Sequence, residues 1–364
     1  MISGRRTHAN QALNLRVGEL VEVRSQEEIL ATLDERGRLD ALPFMPEMLK
    51  NCGKQFRVFK SAHKTCDTIE FQGARKLNHT VHLDGIRCDG QFHGGCQAGC
   101  LVFWKEAWLK RVDEPKHAKP SAVAHVVSEP GDRAPRSGCS RETLLDATRQ
   151  PAPGPAESTD TYSCQATELN RASSVLPWWD FRQYVKDLTT GNVRASQIVK
   201  AALFWLFTKL LRLGGYRALI STYDTIQRKL GGIPYPFKAG ALDKTPAQTL
   251  NLQAHEQVQV KTQEEILATV NRRNRNRGLS FDEEMVEFCG GTYRVLRRVE
   301  RIINERTGKM MALPGDCIIL DGVTCQSRFK NKRLFCPRGI YPYWREIWLK
   351  RVEPVRNGTH GRTG

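Results

Sequence analysis

Cys88, His93, Cys96 and Cys100 follow one another as C-x4-H-x2-C-x3-C, in a loop that also holds Gly94, Gly95 and Gly99. Thiolates and imidazoles are good zinc donors, and glycines let a backbone wrap closely round an ion. A closed structural zinc site needs about four such donors in tetrahedral reach, which this one segment can supply. Cys52, Cys66 and His63 are further candidates in the same part of the chain. The spacing matches no standard zinc ribbon or finger, so it does not by itself select the ligand set.

The chain carries this stretch twice. Leu83-Asp-Gly-Ile-Arg-Cys88 to Trp108-Leu-Lys-Arg-Val112 returns as Leu320-Asp-Gly-Val-Thr-Cys325 to Trp348-Leu-Lys-Arg-Val352. Upstream, Gln26-Glu-Glu-Ile-Leu-Ala-Thr32 answers Gln263-Glu-Glu-Ile-Leu-Ala-Thr269. Cys52, Cys88 and Cys96 thereby match Cys289, Cys325 and Cys336, and Cys317 is a fourth thiol of the second copy. His93 and Cys100 have no counterpart there. Three readings of these cysteines stay open: a structural zinc in each copy, buried thiols that pack as small core residues, or an iron, iron–sulfur or open catalytic site. Cys139 and Cys164 lie outside both copies and read as incidental.

The elements that must position these residues are short. Leu15 to Arg24 largely alternates apolar and polar residues, as a half-buried strand does. Ser25 with Glu28, and Thr262 with Glu265, read as capping boxes opening a short helix. A second helical piece spans Phe44 to Leu49, and Phe281 to Val286 in the second copy, each followed by Cys-Gly. Strands follow at 55–60 and 292–297, then at 80–83 and 317–320 before an Asp-Gly turn. Each copy closes on a tryptophan pair, Trp104 with Trp108 and Trp344 with Trp348, which core packing explains best.

Between the copies, residues 114–175 are rich in Pro, Ser, Ala, Gly and Thr and read as a flexible, disordered linker. Residues 176–240 form a helical insert. Its apolar stretch, 195–213, is too short and too charged to span a bilayer. It reads as a packing helix or, less favoured, as a peripheral membrane contact.

The 364 residues allow two or three domains, and the formal charge of +17 points to an anionic partner such as nucleic acid or an acidic surface. The basic residues are spread along the chain, so an ordinary basic surface or a protein partner is equally compatible. The polar N-terminal sequence has no secretory core, so reduced thiols and a cytoplasmic location are expected. No Gly-x-Ser-x-Gly elbow, His-Glu-x-x-His, P-loop or dinucleotide fingerprint occurs.

Gly18-Glu-Leu-Val-Glu-Val-Arg24 with the later Phe56-Arg-Val58 strand resembles the start of SH3-like and KOW-type small barrels. That resemblance implies a five-stranded barrel whose loops bind nucleic acid or protein. The inserted helix and the cysteines depart from the pattern. The whole repeat is similar to bacterial proteins with duplicated cysteine-containing domains, a likeness that carries no activity. The expectation is an α+β chain with two homologous SH3-like domains, 14–113 and 250–354, joined by the 114–175 linker and the 176–240 insert. The leading function is a zinc-binding, non-catalytic binding or scaffold protein; the alternative is a metal-dependent enzyme or accessory protein of a biosynthetic pathway.

Overall fold

The computed structural model describes residues 12–112, 139–150, 160–211, 216–313 and 315–352. In chain order the first part holds β1 (Leu20–Val23), α1 (Gln26–Leu30), β2 (Arg38–Leu39), β3 (Leu42–Pro43), β4 (Gln55–Ser61), β5 (Lys64–Cys66), β6 (Ala74–Lys76), β7 (Thr80–Leu83), β8 (Trp104–Lys105) and β9 (Leu109–Arg111). The middle holds α2 (Arg141–Asp146), β10 (Arg149–Gln150), β11 (Thr161–Tyr162), α3 (Gln165–Glu168), β12 (Ser174–Leu176), α4 (Arg182–Thr189), α5 (Ala195–Leu210) and α6 (Tyr216–Leu230). The last part holds β13 (Gln257–Val260), α7 (Gln263–Leu267), β14 (Arg275–Asn276), β15 (Leu279–Ser280), β16 (Thr292–Arg298), β17 (Arg301–Ile303), β18 (Met310–Ala312), β19 (Cys317–Leu320), β20 (Trp344–Arg345) and β21 (Leu349–Arg351). The protein is α+β, built on small antiparallel sheets with few helices.

The chain divides into two compact units. Unit 1 is Met1–Trp205 with Arg301–Met311 and Gln326–Gly339; unit 2 is Leu206–Glu300 with Ala312–Cys325 and Ile340–Gly364. The division therefore departs from the expected 14–113 and 250–354, because a hairpin and a loop of the second sequence copy belong to unit 1.

In unit 1, an antiparallel sheet runs β8-β7-β4-β1-β9, with Val21 paired to Phe56 on one side and Arg111 on the other. Period-2 patterning explains β1: Val21 and Val23 face a core that also takes Ile29, Phe44, Met48, Val58, Trp104 and Trp108. The Ser25–Glu28 capping box forms as expected and starts α1. The expected barrel does not close. β8 and β9 are only a few residues long and are separated by one 3-10 turn at Glu106–Trp108, so they end the sheet at its two edges. Trp104 thus lies in a strand and Trp108 in that turn, and both are buried.

The expected linker is partly built structure. Residues 113–138 and 151–159 lie outside the described residues, but α2, α3 and β12 pack onto unit 1. Cys139, Leu144 and Leu169 join its core, and β12 extends the β6-β5 sheet. Composition undervalued this segment because its few apolar residues are spaced to seat against a core already formed. α4 adds a buried ion pair: Lys64 Nζ lies 2.6 Å from Asp187 Oδ2, with His63 Nε2 3.3 Å from Oδ1.

Unit 2 holds an antiparallel sheet in the order β20-β19-β16-β13-β21. Its core gathers Val258, Val260, Ile266, Phe281, Met285, Val295, Trp344 and Trp348, and the Thr262–Glu265 capping box opens α7. Glu346 accepts backbone N–H bonds from Leu250, Asn251 and Leu252. In unit 1, Glu106 accepts from Leu13, Asn14 and Leu15 in the same way. No helix among the described residues is long and apolar enough to cross a membrane.

Candidate metal centre

Glu47, Cys88 and His93 converge in unit 1, with one donor atom of each within 4.8 Å of the others. Glu47 enters on a 3-10 helix, Pro46–Asn51, which proline can start because its missing N–H falls where no intrahelical partner exists. Cys88 follows the turn after β7, and its N–H donates to the Cys100 carbonyl at 2.8 Å, pinning the base of the loop. Within the loop, the Gly90 carbonyl accepts from His93 and Gly95, and the His93 carbonyl accepts from Cys96. Two glycines are required there. Gly90 and Gly94 have positive φ; a Cβ on Gly90 would run into the Cys96 carbonyl, and one on Gly94 would meet the Tyr162 hydroxyl at 2.5 Å.

The Cys88 thiol donates to Glu47 Oε1 at 3.0 Å, and His93 Nδ1 lies 3.4 Å from the same oxygen. Glu47 and His93 are buried, and among the described residues Glu47 Oε2 and both ring nitrogens of His93 have no hydrogen-bond partner. Burial alone would push the Glu47 carboxyl up, but the adjacent His93 imidazole and then the Cys88 thiol outweigh it and hold it below its ordinary value. Burial, then the Glu47 carboxylate and Cys100, push the Cys88 thiol strongly up. In a tetrahedral site with bonds of about 2.0–2.3 Å, ligand atoms stand roughly 3.3–3.8 Å apart, close to the separations found here. The residues fit a divalent ion of zinc's preferences: one sulfur, one nitrogen and one oxygen donor brought together in an enclosed place.

Cys88 and His93 also line a cavity of about 40 Å³ with Cys96, Cys100, Cys164, Met45, Leu101, Phe103, Gln165, Ile303, Glu305 and Arg338. Gln165 of α3 holds this wall together. Its side-chain N–H group donates to the carbonyls of Pro43 and Phe103, and its oxygen accepts from Phe103 N–H. Arg338 is buried and donates to Thr68 Oγ1 at 2.6 Å and Glu305 Oε1 at 2.8 Å. Burial pushes the Cys100 thiol to about 11 and the Cys164 thiol to about 12.

Of the residues singled out by sequence, Cys88 and His93 thus belong to the converging group, and Cys96 and Cys100 share its cavity. Cys52 instead caps the 3-10 helix and packs on the unit 1 core. Cys289 packs on the unit 2 core, Cys317 is buried in β19 beside Arg345, and Cys325 N–H bonds to the Ile340 carbonyl. Cys336 belongs to unit 1, where its sulfur accepts the Cys66 N–H at 3.0 Å. Among the described residues, no second converging group of three such donors occurs, so the second-copy cysteines do not reproduce the cluster.

Glu47 was missed because carboxylates are common and this one sits far from the Cys/His loop in sequence. A signal did exist: the aligned position in the second copy is Glu284, also buried. Cys164, read as incidental, lines the cavity. No family model, curated protein or solved structure matches the chain.

Proposed function

We propose that this is a zinc-binding, non-catalytic binding protein, in which Glu47, Cys88 and His93 hold the ion and so fasten the 88–100 loop to the 3-10 helix. The observation that carries this reading is the convergence of buried Glu47 and His93 with half-buried Cys88, where Glu47 Oε2 and both His93 ring nitrogens have no hydrogen-bond partner among the described residues. Leaving such groups unpaired costs on the order of 1–3 kcal/mol each, which a bound cation would recover. Elemental analysis of protein purified without added metal tests it. One zinc per chain, lost in His93→Ala and in Cys88→Ser, is expected; metal-free protein that does not take up zinc would refute it.

The two five-stranded sheets are read as duplicated SH3-like modules, each with its last strand following one 3-10 turn and pairing with its first. With a formal charge of +17, an anionic partner is proposed, nucleic acid first. Its binding should then weaken steeply with added salt. A salt-insensitive interaction, or none, would remove nucleic acid from the reading. Reduced thiols fit a reducing compartment such as the cytoplasm.

The second reading is a metal-dependent enzyme or accessory protein. The cavity beside the group favours it, because Cys88 and His93 line a small enclosed space, and catalytic sites with three protein donors keep a fourth position open to such a space. An exchangeable water on the bound metal would support this reading, and a fully protein-ligated ion would exclude it.

A further inference from the structure

We infer that the outer face of α5 is a docking surface for an anionic lipid membrane. The helix is predominantly apolar from Ile198 to Phe207, with no side chain fully buried. Ile198, Ala201, Phe204 and Phe207 are half-buried and form its inner face, where Phe207 stacks on Tyr223 at 4.8 Å between ring centres. The opposite face should then be polar, as on any surface helix. It is not. Val199, Leu203, Leu206 and Leu210 are 57%, 61%, 50% and 48% exposed, and their i, i+4, i+7, i+11 spacing aligns them in one stripe with exposed Ala202.

Charge selects the occupant. Between residues 188 and 223 the chain has no Asp or Glu, whereas Arg194, Lys200, Lys209, Arg212 and Arg217 fall there. An apolar stripe on a helix whose own charged residues, Lys200 and Lys209, are both cations matches the boundary between acyl chains and anionic headgroups. At 16 residues α5 is about 24 Å long, short of a hydrocarbon core of about 30 Å, so the helix lies in the interface and does not cross. Trp205, next to the stripe and 38% exposed, is a side chain suited to that depth.

The test is flotation of the full chain with vesicles of phosphatidylcholine containing about 30 mol% phosphatidylglycerol, beside pure phosphatidylcholine vesicles. Binding to the anionic vesicles is expected, about tenfold or more weaker on neutral ones. Leu203→Asp with Leu206→Asp should lower it at least about tenfold, while circular dichroism stays unchanged. Lys200→Gln, which leaves the apolar stripe intact, should weaken only the anionic arm, guarding against a folding defect in the double variant. Absence of flotation, or equal flotation of the double variant, overturns the inference. So does a concentration-dependent dimer that the double variant abolishes while vesicles remain unbound, since the face would then cover a second copy of the chain.

Discussion

Replacing His93 by leucine separates a metal site from an accidental polar cluster, because zinc should stabilise the wild type and leave the variant unchanged. In metal-free protein, His93 is buried with both ring nitrogens unpartnered among the described residues, and its cavity is walled in part by Met45, Leu101 and Phe103. Each unsatisfied buried group costs on the order of 1–3 kcal/mol, but His93 also steadies the buried Glu47 carboxylate, so a leucine of similar volume should leave the metal-free protein no more stable than the wild type. With free zinc at about 100 times its dissociation constant, the wild type gains about 2.7 kcal/mol and the variant gains nothing. For a unit of this size, about 2–4 °C of Tm accompanies each kcal/mol, so the wild type should rise by roughly 5–11 °C. Differential scanning fluorimetry with and without zinc, after chelator treatment, reads both effects. The reasoning fails if zinc moves the wild-type Tm by less than about 1 °C, or if His93→Leu shows the same rise.

Three further outcomes follow from the packing. Lys64→Met should cost about 3–5 kcal/mol in urea unfolding by leaving Asp187 buried with only His63 beside it, and adding Asp187→Leu should restore most of it; equal losses in single and double variants would contradict this. His82 is buried with Nδ1 2.9 Å from the Val102 carbonyl, and burial pushes it from 6.5 to about 4. Because the unfolded chain takes up that proton first, stability present above pH 6.5 should fall as pH drops towards 4, by roughly 3 kcal/mol; His82→Ile, the residue type of the matching Ile319, should flatten that slope. Glu346→Gln should cost about 2–4 kcal/mol in the thermal or urea unfolding of unit 2, since an amide cannot accept from Leu250, Asn251 and Leu252 with a carboxylate's strength, and a loss under about 0.5 kcal/mol would argue against the role.

Much of the local architecture was legible because its causes lie within a few residues of one another. Ser25 and Glu28 are three apart and satisfy each other's backbone donors, so that capping box is written in the sequence itself, as is the one at Thr262. The alternation of Val21 and Val23, the repeat of the Asp-Gly turn and the burial of both tryptophan pairs belong to the same class. The bounds were less exact: the strand expected over 15–24 shortens to Leu20–Val23, because Gly18 at φ +88° turns the chain before it. The C-x4-H-x2-C-x3-C loop also announced itself, since glycine and donor spacing are local properties.

What the tertiary structure alone decided is which donors meet. Glu47 reaches Cys88 across 41 residues, and Gln165 clamps Phe103 from a segment whose composition reads as linker. Cys336 matches Cys96 in the repeat yet lies against Cys66, 270 residues away along the chain. Spacing cannot encode such meetings, because a helix or turn relates neighbours through the backbone, whereas these contacts depend on how sheets bury their faces and which loops the buried cores bring together. The chain's own order therefore determined the modules, and the packing of those modules determined the site.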